Sequence, residues 1–324
     1  MCWFTAQALI NVESDGSVTV AHGQTEVGQG IHTRIAAVAA QTLGCSMDDI
    51  HVVDTNTEAV PNAQMTGGSV STGSAAEAVR VACLKLKLRL APFKDALWKA
   101  AVMTEEPGWK AIVAAASSSG MSFAAEHCFA GGPGESALMP GWGDGVDGAY
   151  AGATSTEFFS YYNFGSAVTE VELDVLTGEH EIIRTDVLYD CGRSLNPELD
   201  IGQVEGAFTM GLGWYTREEE IWGDDGSLKS DGTWQYKPPC SIDVPLALNV
   251  ELLQDSPEPK GILRSKAVGE PPAILSFTVL SALKQAIYAT RRERGHMDLF
   301  ELTVPATVDR IGAACAVEPQ ELVL

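Results

Sequence analysis

The segment Lys266-Ala267-Val268-Gly269-Glu270-Pro271-Pro272 presents one carboxylate on a backbone with little conformational freedom. A proline after Glu270 disfavours the α region there, and the rings of Pro271 and Pro272 fix φ, so Glu270 is expected to be extended and aimed. Gly269 removes a Cβ that would crowd a ligand. An apolar run at helical spacing follows, with Leu280, Leu283 and Ile287 on one face, and a helix starting there sets its positive end near the carboxylate. A carboxylate held in this way suits general-base chemistry. The same local pattern also describes an ordinary proline-started helix preceded by a solvated glutamate, so the rest of the chain must decide between the two.

A second constellation is Gly23-Gln24-Thr25-Glu26-Val27-Gly28-Gln29-Gly30. Residues 17–21 alternate like a strand before it, while Ile31, Ile35, Val38 and Leu43 follow helical spacing after it, with Gly44 as a stop. A strand, glycine turn and helix in this order leave backbone N–H groups for an anionic or amide-rich ligand. The spacing matches neither a dinucleotide fingerprint nor a phosphate loop, so a nucleotide is not indicated. Two further glycine-lined loops are Thr66-Gly67-Gly68-Ser69-Val70-Ser71, ahead of a helix expected over 75–90, and Asp190-Cys191-Gly192-Arg193, ahead of Asp200-Ile201-Gly202-Gln203. Each by itself is an ordinary turn or helix-packing contact.

Taken together, Gln29, the Gly67-Gly68-Ser69 loop, Gln203 and Glu270 in this order resemble the second molybdopterin-binding domain of the xanthine dehydrogenase/aldehyde oxidase family of molybdenum hydroxylases. The resemblance covers about residues 8–94 and 156–316. It implies an α+β fold of two lobes, each a mixed sheet with flanking helices. It also implies a molybdenum–molybdopterin cofactor bound by Gly28, Gln29, Gly30, Gly67, Gly68, Ser69, Ser71 and Gln203, with the Gly68 backbone near a molybdenum held by the pterin dithiolene. Glu270 becomes the catalytic base. For Thr25, Arg193 and Lys266, surface or structural pairing explains the residue equally well. The phrases Asp186–Gly192, Gly232–Pro238 and Phe300–Thr307, with the Gly67-Gly68 pair, look more like plant-type aldehyde oxidases than xanthine dehydrogenases.

The resemblance implies an aldehyde or heteroaromatic substrate and partners in the domains missing from this chain: a first molybdopterin domain, a flavin (FAD) domain and two 2Fe-2S clusters. The chain is then expected to be a fragment, a split gene product or a truncated reading, inactive alone and homodimeric when complete. Xanthine dehydrogenase and a non-catalytic cofactor-binding module remain open alternatives.

Composition sets outer limits. With 43 acidic against 21 basic side chains the net charge is −22, and no basic run follows a phosphate backbone, so nucleic acid and anionic membrane are poor partners. Seven widely spaced cysteines without a Cys-x-x-Cys pair read as reduced thiols in a cytoplasmic protein, and encode no zinc or iron–sulfur site. The six histidines contain no His-x-x-x-His pair, and His22 and His32 beside the glycine turn read as packed or surface residues. No basic residue precedes Arg34, and no apolar run approaches the ~18 residues of a membrane helix.

Residues 1–100 are expected as the first lobe, 101–158 as a Gly/Ala/Ser-rich connection or insertion, and 159–324 as a strand-rich second lobe. Residues 166–189 read as a hairpin turning at Gly178, and Leu84–Leu90, despite its period-two alternation, as helix.

Overall fold

A computed structural model describes residues 5–100, 106–130 and 161–318. They fall into two units, each assembled from discontinuous chain. The first takes the described part of Met1–Tyr162 with Gly192–Leu199 and Asp255–Ala267; the second takes Asn163–Cys191, Asp200–Gln254 and the described part of Val268–Leu324.

In the first unit, β1 (Thr5–Val12) alternates strictly, burying Ala6, Ala8, Ile10 and Val12 on one face. It pairs antiparallel with β2 (Val18–His22), which pairs parallel with β3 (Ile50–Val52). Helix α1 (Ile31–Leu43) buries Ile31, Ile35, Val38 and Leu43 and ends at left-handed Gly44. Helix α2 (Ser71–Ala100) enters through Ala75, Ala76, Ala78, Val79 and Ala82, small side chains that let its backbone approach its neighbours closely.

The alternating Leu84–Leu90 segment lies within α2. Leu86 and Leu90, four apart, are buried, while Lys85, Lys87 and Arg89 reach backbone carbonyls of Glu126, Thr42, and Ser122 with Ala124. The alternation comes from basic residues spanning outward to neighbouring carbonyls, not from a pleated strand.

Part of the expected 101–158 connection is regular structure. Helix α3 (Trp109–Ala116) anchors to the β1–β2 turn through Trp109 Nε1, which donates to Gly16 O at 2.7 Å. Strand β4 (Ala124–Ala130) completes the sheet order β3-β2-β1-β4, pairing antiparallel with β1. Composition concealed this strand because its pairing depends on the open edge of β1, more than 100 residues earlier. Residues 101–105 and 131–160 lie outside the described residues.

The second unit holds β5 (Gly165–Leu173), β6 (His180–Tyr189) and β7 (Ala247–Leu252), with β5–β6 antiparallel and β6–β7 parallel. Gly178 turns the hairpin at φ +80°, where a Cβ would also overlap the Val308 carbonyl oxygen. Strands were expected to outnumber helices in this half; among the described residues three α-helices stand beside the three strands: α4 (Pro197–Thr216, begun within the first unit), α5 (Phe277–Glu293) and α6 (Val308–Ala314). The segment Pro271–Glu293 is long and apolar enough to span a membrane by length and composition, which the sequence reading had not anticipated. Its Val279, Leu280, Leu283 and Ile287 instead join Tyr189, Phe208 and Leu212 in the core of this unit. Both sheets are mixed and flanked by helices, the α+β arrangement expected.

Candidate functional site

In the first unit the candidate residues lie on two loops that meet. The turn from β2 to α1 ends at Gly30, φ +74°, where a Cβ would sit 2.5 Å from Leu199 Cδ1. No acidic residue lies in the first turn of α1. Glu26, just ahead of the helix, fills that role. Its Oε1 accepts from Gly28 N at 3.0 Å and Gly30 N at 2.9 Å, and its Oε2 accepts from His32 N at 3.2 Å. Burial opposes the charge, but the N–H donors of His32, Gly30 and Gly28 outweigh it and hold the carboxyl below its ordinary range.

This corrects one expectation. The N–H groups of the glycine turn are not left for an outside anion, because the chain supplies its own. What the turn presents is Gln29, whose Oε1 accepts from Val27 N at 2.7 Å and whose Nε2 donates to Thr25 O at 2.9 Å. One Nε2 proton is thereby used, and the amide carries a second.

Below the turn, His22 is fully buried. Its Nδ1 accepts from Gln24 N at 3.2 Å, so the neutral ring carries its proton on Nε2 and donates it to His32 Nδ1 at 2.8 Å. Burial, then the neighbouring His32, lower the His22 pKa to about 4, with Glu26 pulling the other way. His22 is a packed residue, as expected.

The Gly67–Ser71 loop is joined to the turn by Thr66. Thr66 Oγ1 accepts from Thr25 N at 2.8 Å and donates to Gln24 Oε1 at 3.0 Å. Gly68 and Ser69 are consecutively left-handed, φ +63° and +55°. Ser71 is buried, its hydroxyl accepting from Gly67 N at 3.0 Å, so it shapes the loop. Among the described residues no heavy atom lies within 4 Å of where a Cβ at Gly28 or Gly67 would stand, and at Gly68 only Val70 Cγ2 reaches 4.0 Å. The backbone here faces open space on its glycine side.

In the second unit Gln203 is half-buried on α4 and Glu270 is exposed ahead of a 3-10 turn, Pro271–Ser276. Glu270 is not extended: φ is −87° and ψ −33°, in the α region. The steric preference of a residue before proline is overridden by a turn closed from Ala273 N to Glu270 O at 3.0 Å and by packing against α4. A Cβ at Gly211 of α4 would overlap Ser276 Oγ and the Ala273 carbonyl, so the helix backbone sits directly against the turn. Gln203 lies eight residues before Gly211, about 12 Å along the same helix. The exposed Arg193 donates its backbone N–H to Arg264 O at 2.8 Å, joining two segments of the first unit. Leu263 and Arg264 there are left-handed, φ +46° and +72°, a strained pair that composition does not signal.

Sequence reasoning passed over Glu26, Gln24 and Thr66. Glu26 carried a usable signal, an acid just before a helix with none in its first turn. Thr66 carried none, since its partner is 42 residues away.

Among the described residues no group of three or more His, Cys, Asp or Glu side chains could hold a metal ion. The molybdopterin cofactor-binding domain family matches residues 2–245. The chain belongs to that family. It is 40% identical over 310 residues to xanthine dehydrogenase/oxidase of Gallus gallus, covering 96% of this chain and 21% of that protein. It is 37% identical over 324 residues to probable aldehyde oxidase 2 of Oryza sativa subsp. japonica, covering 96% and 22%. Its fold resembles quinoline 2-oxidoreductase from Pseudomonas putida 86, with a TM-score of 0.76 at 21% identity over 97% of this chain and 38% of that one. The Cu,Mo-CO dehydrogenase gives 0.75 at 22% identity, covering 96% and 37%. The chain thus spans about a fifth of the length of these curated relatives, and is a molybdopterin cofactor-binding domain homologous to xanthine dehydrogenase and aldehyde oxidase over most of its own length.

Proposed function

We propose that these residues form the molybdopterin-binding part of a cytoplasmic molybdenum hydroxylase that oxidises an aldehyde or N-heterocycle, with Glu270 as its general base. The observation that carries this reading is the open glycine backbone at Gly28, Gly67 and Gly68 beside the braced Gln29 amide. It lets a ligand come close to the braced Gln29 amide without a glycine side chain intervening, which suits the edge of a pterin. Bound molybdopterin supplies the metal and the two-electron oxidation of the substrate carbon, with water as the oxygen source.

The protein residues hold and orient. Gln29 offers its second Nε2 proton from a side chain held by Val27 N and Thr25 O, and Gly30 admits Leu199 against the turn. Gln203 offers a second amide from the rigid α4. The Gly68 and Ser69 backbone is assigned to the metal end. Glu270 takes up on its carboxylate the proton released as the substrate carbon is oxygenated, and the 3-10 turn packed on Gly211 holds it in position. Iron–sulfur and FAD carriers, the first molybdopterin domain and a homodimeric assembly belong to residues outside this chain.

The Gly67-Gly68 pair favours aldehyde oxidation. A second reading, xanthine dehydrogenase, is favoured by the 40% identity to the Gallus gallus protein. Glu270→Gln in the holoenzyme is expected to retain pterin and molybdenum while turnover falls ~100-fold or more, the range for a lost general base. Near-normal turnover at full molybdenum loading rejects the assignment, and steady-state rates on an aldehyde and on hypoxanthine separate the two readings.

A further inference from the structure

We infer that Gln24 and Thr66 are positioning residues that lock the Gly28-Gln29-Gly30 turn to the Gly67-Gly68-Ser69 loop through one half-buried hydroxyl relay anchored on the buried Gln24 amide. The inference rests on the functional reading above, because it concerns how two surfaces assigned to the cofactor are held in register. The two loops are some 40 residues apart and neither is a strand, so no sheet ladder fixes one against the other. Thr66 does so instead.

Its hydroxyl has one proton, and Gln24 Oε1 takes it at 3.0 Å. That donation fixes the rotor, so that the lone pairs of the same oxygen face Thr25 N, which donates at 2.8 Å. The carbonyl of Thr25 in turn accepts from Gln29 Nε2 at 2.9 Å. A continuous path therefore runs from a core amide, through one hydroxyl, to the side chain assigned to the cofactor. Gln24 is anchored independently by its own carbonyl, which accepts from Thr55 Oγ1 at 2.8 Å, and by its N–H, which donates to His22.

Two features argue that the relay sets geometry as well as filling space. Gln24 is 2% exposed, and an apolar side chain would fill such a site without demanding an orientation. Directly beyond Thr66 the chain takes two consecutive left-handed residues, one of them the non-glycine Ser69, a conformation that persists only where its surroundings over-determine it.

The test uses Gln24→Met and Thr66→Val, which keep shape and remove the relay, with Thr66→Ser keeping the hydroxyl. In the 324-residue chain, hydrogen exchange at Thr25 and at 67–70 is expected to quicken roughly five- to tenfold in Q24M and T66V, the factor for one net hydrogen bond, with α1 core amides unchanged. In the holoenzyme the same two variants are expected to lower molybdenum content or alter the EPR signal of the partly reduced metal, while T66S matches wild type. The double variant is expected to be no worse than either single one. Unchanged exchange overturns the relay. Loosened loops with wild-type molybdenum content and spectrum, or T66S as damaged as T66V, overturn the positioning role. A wild-type full-length enzyme, with the domains outside this chain, that is devoid of molybdopterin while the exchange result holds refutes the functional reading, and this inference with it, but leaves the relay standing as a structural contact.

Discussion

Acidification from neutral pH is expected to destabilise the first unit through His22. In the folded chain this ring is fully buried and its pKa is lowered from 6.5 to about 4. In the unfolded chain it titrates near the ordinary value. Between these two values the unfolded state binds the extra proton, so stability is complete above about pH 6.5 and is lost as pH falls toward 4. At about 1.4 kcal/mol per pKa unit the whole window is worth ~3 kcal/mol, of which ~2 kcal/mol falls between pH 7 and pH 5. The carboxyl of Glu26 is depressed below its ordinary 4.5, so its contribution is lost only at lower pH and leaves the upper window clean. Protonation would also take the Nδ1 acceptor away from Gln24 N, loosening the segment that leads into the glycine turn.

The assay is hydrogen exchange of β2 and α1 amides, corrected for intrinsic pH dependence, in wild type and His22→Asn. Asparagine keeps a short acceptor for Gln24 N but cannot titrate. Because burial also lowers the pKa of His127 and His180, the readout is the difference between the two slopes. Wild type is expected to lose ~2 kcal/mol more than the variant between pH 7 and pH 5. Equal slopes would refute a His22 ring held neutral by burial in the folded chain.

Gln29→Ala and Gln203→Ala are each expected to lower molybdenum content or shift the metal's EPR signals with the fold intact; unchanged metal and spectra in both would remove them from the cofactor site. Gly211→Ala should gain up to ~1 kcal/mol of helix propensity, yet destabilise the second unit overall, because overpacking against Ser276 Oγ and the Ala273 carbonyl costs about 1–3 kcal/mol. A stabilised variant by urea denaturation would show that α4 and the Glu270 turn are not in close approach. The 324-residue chain alone, about a fifth of its relatives' length, is expected to retain little molybdopterin and to oxidise neither aldehydes nor hypoxanthine with an artificial electron acceptor. Robust turnover would overturn the domain division.

What the sequence determined is what local periodicity encodes. The β2–turn–α1 unit, the hairpin around Gly178 and the buried face of α5 were legible because strand and helix spacings sort apolar residues onto one side over a few turns. The order Gln29, Gly67-Gly68, Gln203 and Glu270 was legible as a family pattern. Tertiary structure decided what depends on partners far along the chain. Glu270 lies in the α region because its turn packs on Gly211, and that packing outweighs a local steric preference. Strand β4 exists because β1 offers an unpaired edge. The Gln24–Thr66 contact joins residues 42 apart, and no propensity or spacing records a hydrogen bond between positions that only folding brings within 3.0 Å. The glycine turn changed character for the same reason: Glu26 fills the N–H groups that composition suggested were available, and which carboxylate reaches them is decided by backbone geometry alone.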